Sequence, residues 1–271
     1  MIKKVLIYLA LIIVAFVSLF PFYFMFVSGT NTNTAILSAP PRLIPGSELA
    51  ANFQLLISRI DIFRVAFNTL FVSIVFTAIS LFLYSSAGYA LAKFNFKGKK
   101  LIFGFIMLSM MIPSQILYVP LFRLIIGIDM ADTYAAVILP LLANAFGVFL
   151  MRQNMLNFPT ALVEASRIDG CSEWGIYFRI VLPNMKPALS ALVIYMFTNM
   201  WNSFMWPLII LGTKKMYTFP VALAMLDGIP TNKNFAVVLL ATSVATLPIL
   251  LIFIIFQKQF VAGVMGGAVK E

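Results

Sequence analysis

The sequence predicts an all-α membrane protein with six transmembrane helices. Three observations carry that expectation. The 271 residues are 62% hydrophobic and only 10% charged, against roughly 45–50% and about 25% in a soluble domain. Apolar runs of the ~20 residues needed to cross a bilayer recur along the chain. The few charges gather between those runs.

The first run, 5–27, follows Lys3 and Lys4. It is longer than the roughly 7–15-residue core of a signal peptide, and no small-residue cleavage site comes directly after it, so an uncleaved span is expected. The second run is 65–92, long enough to tilt or to extend beyond the bilayer. The others are 101–120, 134–151, 187–211 and 235–256. Together they make one transmembrane domain, 1–271, with no connection large enough for a soluble second domain. Residues 28–64, with Pro40, Pro41, Pro45 and Gly46, are expected to form a long irregular loop.

Six spans place both termini on one side. Twelve of the 19 basic residues fall on that side, with KFNFKGKK at 93–100 as the clearest anchor. The positive-inside rule makes that side the cytoplasm of a multi-pass cell-membrane protein. The net charge of +10 is then mainly topology, and no nucleic-acid partner is expected.

Composition also excludes chemistry. There is no histidine and a single cysteine, Cys171, which rules out His-based catalysis, an internal disulfide and Cys/His metal sites. No phosphate-binding loop, H-E-x-x-H or G-x-S-x-G occurs. The chain is expected not to be an enzyme, and any energy source lies on another chain. By these boundaries no Asp, Glu, Lys or Arg falls inside a span. That disfavours a proton-coupled carrier, and disfavours a Na⁺-coupled one less.

The longest cytoplasmic connection, 152–186, holds EASRIDGCSEWGIYFRIVLP at 164–183. Pro159 suits the start of a short helix through Asp169. Within it Glu164 and Arg167 are i,i+3 neighbours able to pair. Gly170 suits the left-handed turn that ends the helix. Ser172 is a plausible N-cap for a second helix through Val181. Ala161, Ala165 and Ser166 would let another surface come close. The apolar residues from Trp174 to Leu182 exceed what two short helices can bury on themselves. A bed of lipid headgroups and a docking partner both satisfy these facts.

The spacing Glu164-Ala165-Ser166, three residues, Gly170, nine residues, Ile180-x-Leu182-Pro183 resembles the EAA loop of permease subunits of binding-protein-dependent ABC importers. Ser166 replaces the second alanine. PFYFMFVSGTNT at 21–32, VPLFRLIIGIDMADTYAAVILP at 119–140, FGVFLMRQNMLNFPTALVEASRIDG at 146–170, WNSFMWPLIIL at 201–211 and KQFVAGVMGGAVKE at 258–271 are similar to the maltose-permease-like carbohydrate branch.

That resemblance implies the type I importer permease fold and an ATP-driven sugar importer. It implies a second permease subunit completing a heterodimer, two ATPase subunits or domains, and an extracytoplasmic sugar-binding protein. It places ATP and Mg on the ATPase, with no cofactor on this chain. The loop at 159–183 becomes a coupling helix, with Glu164, Ala165, Ser166, Arg167, Asp169, Gly170 and Ser172 at the ATPase. The tail, 261–271, would also reach that interface. For the sugar path, Asn199, Asn202 and Ser203 in the fifth span and Tyr84 in the second offer hydrogen-bonding groups beside apolar faces, although Asn and Ser also join spans to one another. A permease for a non-sugar solute and an ion-coupled secondary transporter are the alternatives.

Overall fold

The computed structural model describes the backbone of residues 2–227 and 234–268 and the side chains of 3–226 and 234–258. Among the described residues all regular structure is helical. In chain order the α-helices are α1 (Ile2–Gly29), α2 (Asn33–Leu37), α3 (Leu49–Arg59), α4 (Ile62–Lys93), α5 (Lys99–Ser109), α6 (Tyr118–Gly127), α7 (Tyr134–Ile138), α8 (Ala145–Leu156), α9 (Thr160–Ile168), α10 (Glu173–Asn184), α11 (Lys186–Trp201), α12 (Met205–Ile210), α13 (Phe219–Asp227) and α14 (Phe235–Ala268).

Among the described residues three helices are long and apolar enough to cross a membrane unbroken: α1, α4 and α14. The other expected spans are interrupted. Helix α5 meets the segment 114–127 at 91°, and the segment 134–142 meets α8 at 49°. Helix α11 meets α10 at 82°, stops at Trp201, and is followed by the separate short α12. The third run, read from sequence as 101–120, is thus two helices that continue to Gly127. The reason lies in Met110–Pro113 and Pro140, since proline removes a backbone donor and clashes with the preceding turn. Irregular backbone at membrane depth survives only where protein or a cavity accepts its polar groups.

The chain packs as two compact units, 1–67 with 218–248 and 68–217 with 249–271. In the first unit, α1 is apolar all round and exposed from Lys3 to Phe22, becoming buried only from Val27. A helix of that kind needs an apolar surrounding. Residues 28–64 are irregular at 38–48, around Pro40, Pro41, Pro45 and Gly46 as expected, but helical on either side. They hold α2, N-capped by Thr32, and α3. Asn52 Nδ2 donates to the carbonyls of Gly29 and Asn31, and Asn31 Nδ2 donates to those of Val27 and Ile44. These side-chain amides take the place of a repeating pattern, which is why hydropathy alone did not expose the order.

The second unit is built on α4. Its core joins Val72, Phe76, Tyr84 and Tyr89 to Met151, Met155, Val163, Ile176, Tyr177 and Leu192. Asn68 ties one end: its Nδ2 donates to the carbonyls of Lys215 and Tyr217, and its Oδ1 accepts from the Tyr134 hydroxyl at 2.7 Å. Gly88 allows α4 and α8 to touch, because a Cβ there would stand 2.7 Å from Met151 Cβ and 2.9 Å from the Arg152 nitrogen. At the α7–α8 break the Tyr84 hydroxyl donates to the Leu142 carbonyl at 2.8 Å, and a Cβ at Gly147 would run into the Tyr84 ring.

Candidate functional site

The stretch 159–184 folds as a two-armed hook. Pro159 stands just before α9, at the N-cap rather than inside the helix. Asp169 caps the other end, and Gly170 takes φ +80° with open space around it, so only backbone conformation demands glycine there. The Ser172 hydroxyl accepts from the Gly175 N–H at 3.2 Å and starts α10. Ile176–Val181 within that arm are wound as a π-helix, an irregularity that frequently accompanies function.

Arg167 does not pair with Glu164 as its spacing allowed. The turn at Gly170 brings Glu173 alongside, and Arg167 engages it with both prongs: Nε to Oε1 at 2.5 Å and an Nη to Oε2 at 3.2 Å. A fork matched to a carboxylate outcompetes a single helical contact. The pair holds the Glu173 carboxyl below the usual carboxylate range, chiefly through the Arg167 hydrogen bond. Its contribution is present above the unfolded carboxyl pKa and fades as pH falls through the lower folded value, so the hook does not titrate through this pair near neutrality.

Ser166 also departs from expectation. It is buried and donates to the Leu162 carbonyl at 2.6 Å, facing its own hook rather than a partner. The outward face of α9 carries Ala161, Glu164, Ala165 and Ile168, all exposed, with Ile168 87% exposed. Arg167, Asp169 and Ser172 are exposed as well. Among the described residues Glu164 makes no hydrogen bond or ion pair.

Three residues to which the sequence assigned no part in the hook hold it in place. Ser85, Tyr89 and Lys93 lie one turn apart on one face of α4. The hydroxyls of Ser85 and Tyr177 bond at 2.6 Å, and Tyr89 donates to Glu173 at 3.3 Å. Lys93 Nζ donates to the Phe158 carbonyl at 2.5 Å and to Thr160 Oγ1 at 3.2 Å. Lys93 is 9% exposed, so it is a buried tie and not the free anchoring charge that its place in KFNFKGKK implied. The available signal was polar residues at i, i+4 and i+8 closing an otherwise apolar span. Beside them Trp174 stacks between Phe82 and Phe178, with ring centroids 6.4 and 5.9 Å away.

A separate cavity of about 200 Å³ lies where the broken helices converge, lined by Phe76, Ser114, Leu141, Asn144, Tyr195, Met196, Asn199, Met200 and Ser203. Two of the four expected path residues, Asn199 and Ser203, are on it. Tyr84 is not among its lining, because its ring is buried and its hydroxyl is spent on Leu142 and Ser80. Asn202 is exposed but does not line it. Asn144, Ser114 and Tyr195 were missed; the first two lie at helix breaks that proline announces, and Tyr195 is one turn before Asn199. The tail at 261–271 lies outside the residues whose side chains are described.

The chain is similar to known proteins over almost its whole length. Residues 85–266 match the family described as "Binding-protein-dependent transport system inner membrane component". The chain is 38% identical over 260 residues to the arabinooligosaccharides transport system permease protein AraQ of Halalkalibacterium halodurans, covering 95% of this chain and 93% of that protein. It is 34% identical over 260 residues to the lactose transport system permease protein LacG of Rhizobium radiobacter, covering 96% and 94%. A crystal structure of a bacterial ABC transporter that imports the acidic polysaccharide alginate contains a chain of the same fold, with TM-score 0.82, 21% identity and 96% of each chain covered.

Proposed function

Because the chain belongs to the family of binding-protein-dependent transport system inner membrane components, we propose that it is one permease subunit of an ATP-driven sugar importer. It forms part of the translocation pathway, and α9 docks on a separate ATPase. A second, non-identical permease faces it, two ATPase subunits or domains bind the hooks, and an extracytoplasmic binding protein delivers sugar. ATP and Mg are held by the ATPase, and both termini of this chain are cytoplasmic.

The observation that carries the docking role is the outward face of α9. Ala161 and Ala165 keep it low, Ile168 stands out of it, and Glu164 is left unpaired. Small residues permit close approach, and a projecting aliphatic side chain is the shape of an anchor. The sugar cargo is supported by the names of AraQ and LacG, relatives covering almost the whole chain.

ATP binding draws the two hooks together and rocks the spans toward an outward-facing state; hydrolysis resets them. Such a cycle needs a stiff joint between hook and span. The bonds from Ser85, Tyr89 and Lys93 provide one, so a displacement of α9 is delivered to α4 instead of being absorbed.

The experiment is ATP-driven uptake by the complete importer in proteoliposomes. Labelled arabinotriose or lactose is expected to accumulate only with binding protein outside and ATP inside. Uptake driven by an ion gradient without ATP would overturn the proposal.

A further inference from the structure

We infer that the cavity of Phe76, Ser114, Asn144, Tyr195, Asn199 and Ser203 is a subsite of this chain for one uncharged sugar ring, and that it selects neutral saccharides over acidic ones. The inference rests on the sugar-importer function proposed above and adds a site and a charge rule to it.

The position is the first ground. Phe76 lies near the middle of α4, the longest span in this unit. Ser114 and Asn144 sit at the two helix breaks, and Ser203 follows the end of α11. Three interruptions of helical backbone meet at one place. In a membrane protein such interruptions persist where they line a polar cavity, and transporter sites are built at discontinuous helices near mid-depth.

The hydrogen-bonding inventory is the second ground. The Asn144 Oδ1 accepts from the Gly147 N–H, which leaves a second lone pair to accept and its Nδ2 to donate. The Asn199 Nδ2 donates to the Tyr195 carbonyl, which leaves a second N–H to donate and its Oδ1 to accept. The hydroxyls of Tyr195 and Ser203 make no hydrogen bond among the described residues. Two amides that keep free donors and acceptors, and two hydroxyls able to do either, suit the vicinal hydroxyls of a sugar, each itself both donor and acceptor. Phe76 and Tyr195 supply apolar ring faces for its C–H side, and Phe146 braces the Tyr195 ring at 4.7 Å.

Charge and size complete the case. Among the described residues no Asp, Glu, Lys or Arg lines the cavity. A uronate carboxylate entering it would lose water without meeting a cation, an unfavourable transfer that a neutral ring escapes. At about 200 Å³ the cavity is below the roughly 300–1,000 Å³ of sites that enclose whole drug-sized ligands. It is open on the side of Tyr195, which is 39% exposed, and of Asn199, so it seats one ring while the rest of an oligosaccharide extends through the opening.

The test uses the assembled importer in proteoliposomes with labelled arabinotriose, lactose and an unsaturated alginate disaccharide. Tyr195→Phe and Ser203→Ala each remove one hydroxyl and keep the shape; Asn199→Asp adds a negative charge. Assembly of each variant is verified by recovery of the ATPase chain. The neutral sugars are expected to enter and the acidic one not to. Each hydroxyl deletion is expected to raise the half-saturating concentration about 3- to 10-fold, as for loss of one hydrogen bond. Wild-type uptake of neutral sugar with all three variants unchanged would overturn the subsite and leave the importer standing. Entry of the alginate fragment in preference to neutral sugars would overturn the charge rule. ATP-driven uptake of no saccharide at all would remove the sugar-importer function itself, and the subsite with it.

Discussion

An importer carrying Ile168→Asp is expected to shed its ATPase subunits during purification while the permease itself remains folded. Ile168 is 87% exposed on the outer face of α9, so its replacement disturbs no packing within the chain, and a surface change of that kind alters stability by less than about 0.5 kcal/mol. Buried against a partner, the new carboxylate would lose its water without compensation. An anchor replaced in this way costs roughly 2–4 kcal/mol, which is about 30- to 700-fold in Kd. Glu164→Lys acts on the same face, but at an unpaired exposed charge the loss is smaller and depends on salt. The check is the ratio of ATPase to permease after affinity purification, with thermal unfolding of the permease as the control. Retention of ATPase in full ratio would place the docking surface elsewhere.

Lys93→Met is the second large effect, and it separates docking from transmission. The Lys93 ammonium bonds the Phe158 carbonyl and Thr160 Oγ1 from a position 9% exposed. Hydrogen bonds to a charged group contribute about 1.5–3 kcal/mol, and methionine keeps the bulk while deleting them. The outer face of α9 is untouched, so ATPase is expected to stay bound. Uptake is expected to fall about 10-fold or more while ATP hydrolysis continues, because the hook can then move without its span. Lys93→Arg retains a cation and is expected to recover part of the coupling. The measurement is sugar moved per ATP hydrolysed. An unchanged ratio in Lys93→Met would show that this joint transmits nothing.

Hydropathy located the unbroken spans because α1, α4 and α14 each hold a continuous helix with a mostly apolar stretch long enough for a bilayer. It did not reveal the bends after Ser109 and near Leu142, where the runs remain apolar and only proline marks the change of direction. The hook was legible for a different reason. Pro159, Gly170 and Ser172 each have a local backbone preference, and the structure gives each a place in the turn or its caps. Pairing within the hook was not legible. Arg167 had a carboxylate three residues before it and another six residues after it, and only the turn at Gly170 decides which one it meets. Ser166 looked like a small outward residue because it replaces an alanine in the pattern, yet helical phase turns it inward with Val163. Lys93 was hidden by its neighbours, since a lysine at the head of KFNFKGKK reads as one more solvated charge until Phe158 is seen beside it.

For the substrate path, Asn199 and Ser203 share a helix end one turn apart and could be grouped from sequence. Their counterparts Ser114 and Asn144 come from other helices, and long-range convergence has no local signature. Tyr84 illustrates the converse. A tyrosine inside a span reads as a lining candidate, but its hydroxyl serves the broken backbone at Leu142.

The most direct test of the central claim is a photo-cross-link from position 168. A photoreactive amino acid replaces Ile168 in the complete importer, in native membranes, and the adducts are identified by mass. The account predicts a cross-link to a nucleotide-binding chain, with a yield that changes when ATP is added. Adducts to lipid alone, unaffected by ATP, would show the hook resting on the bilayer surface and would contradict its role as the coupling element.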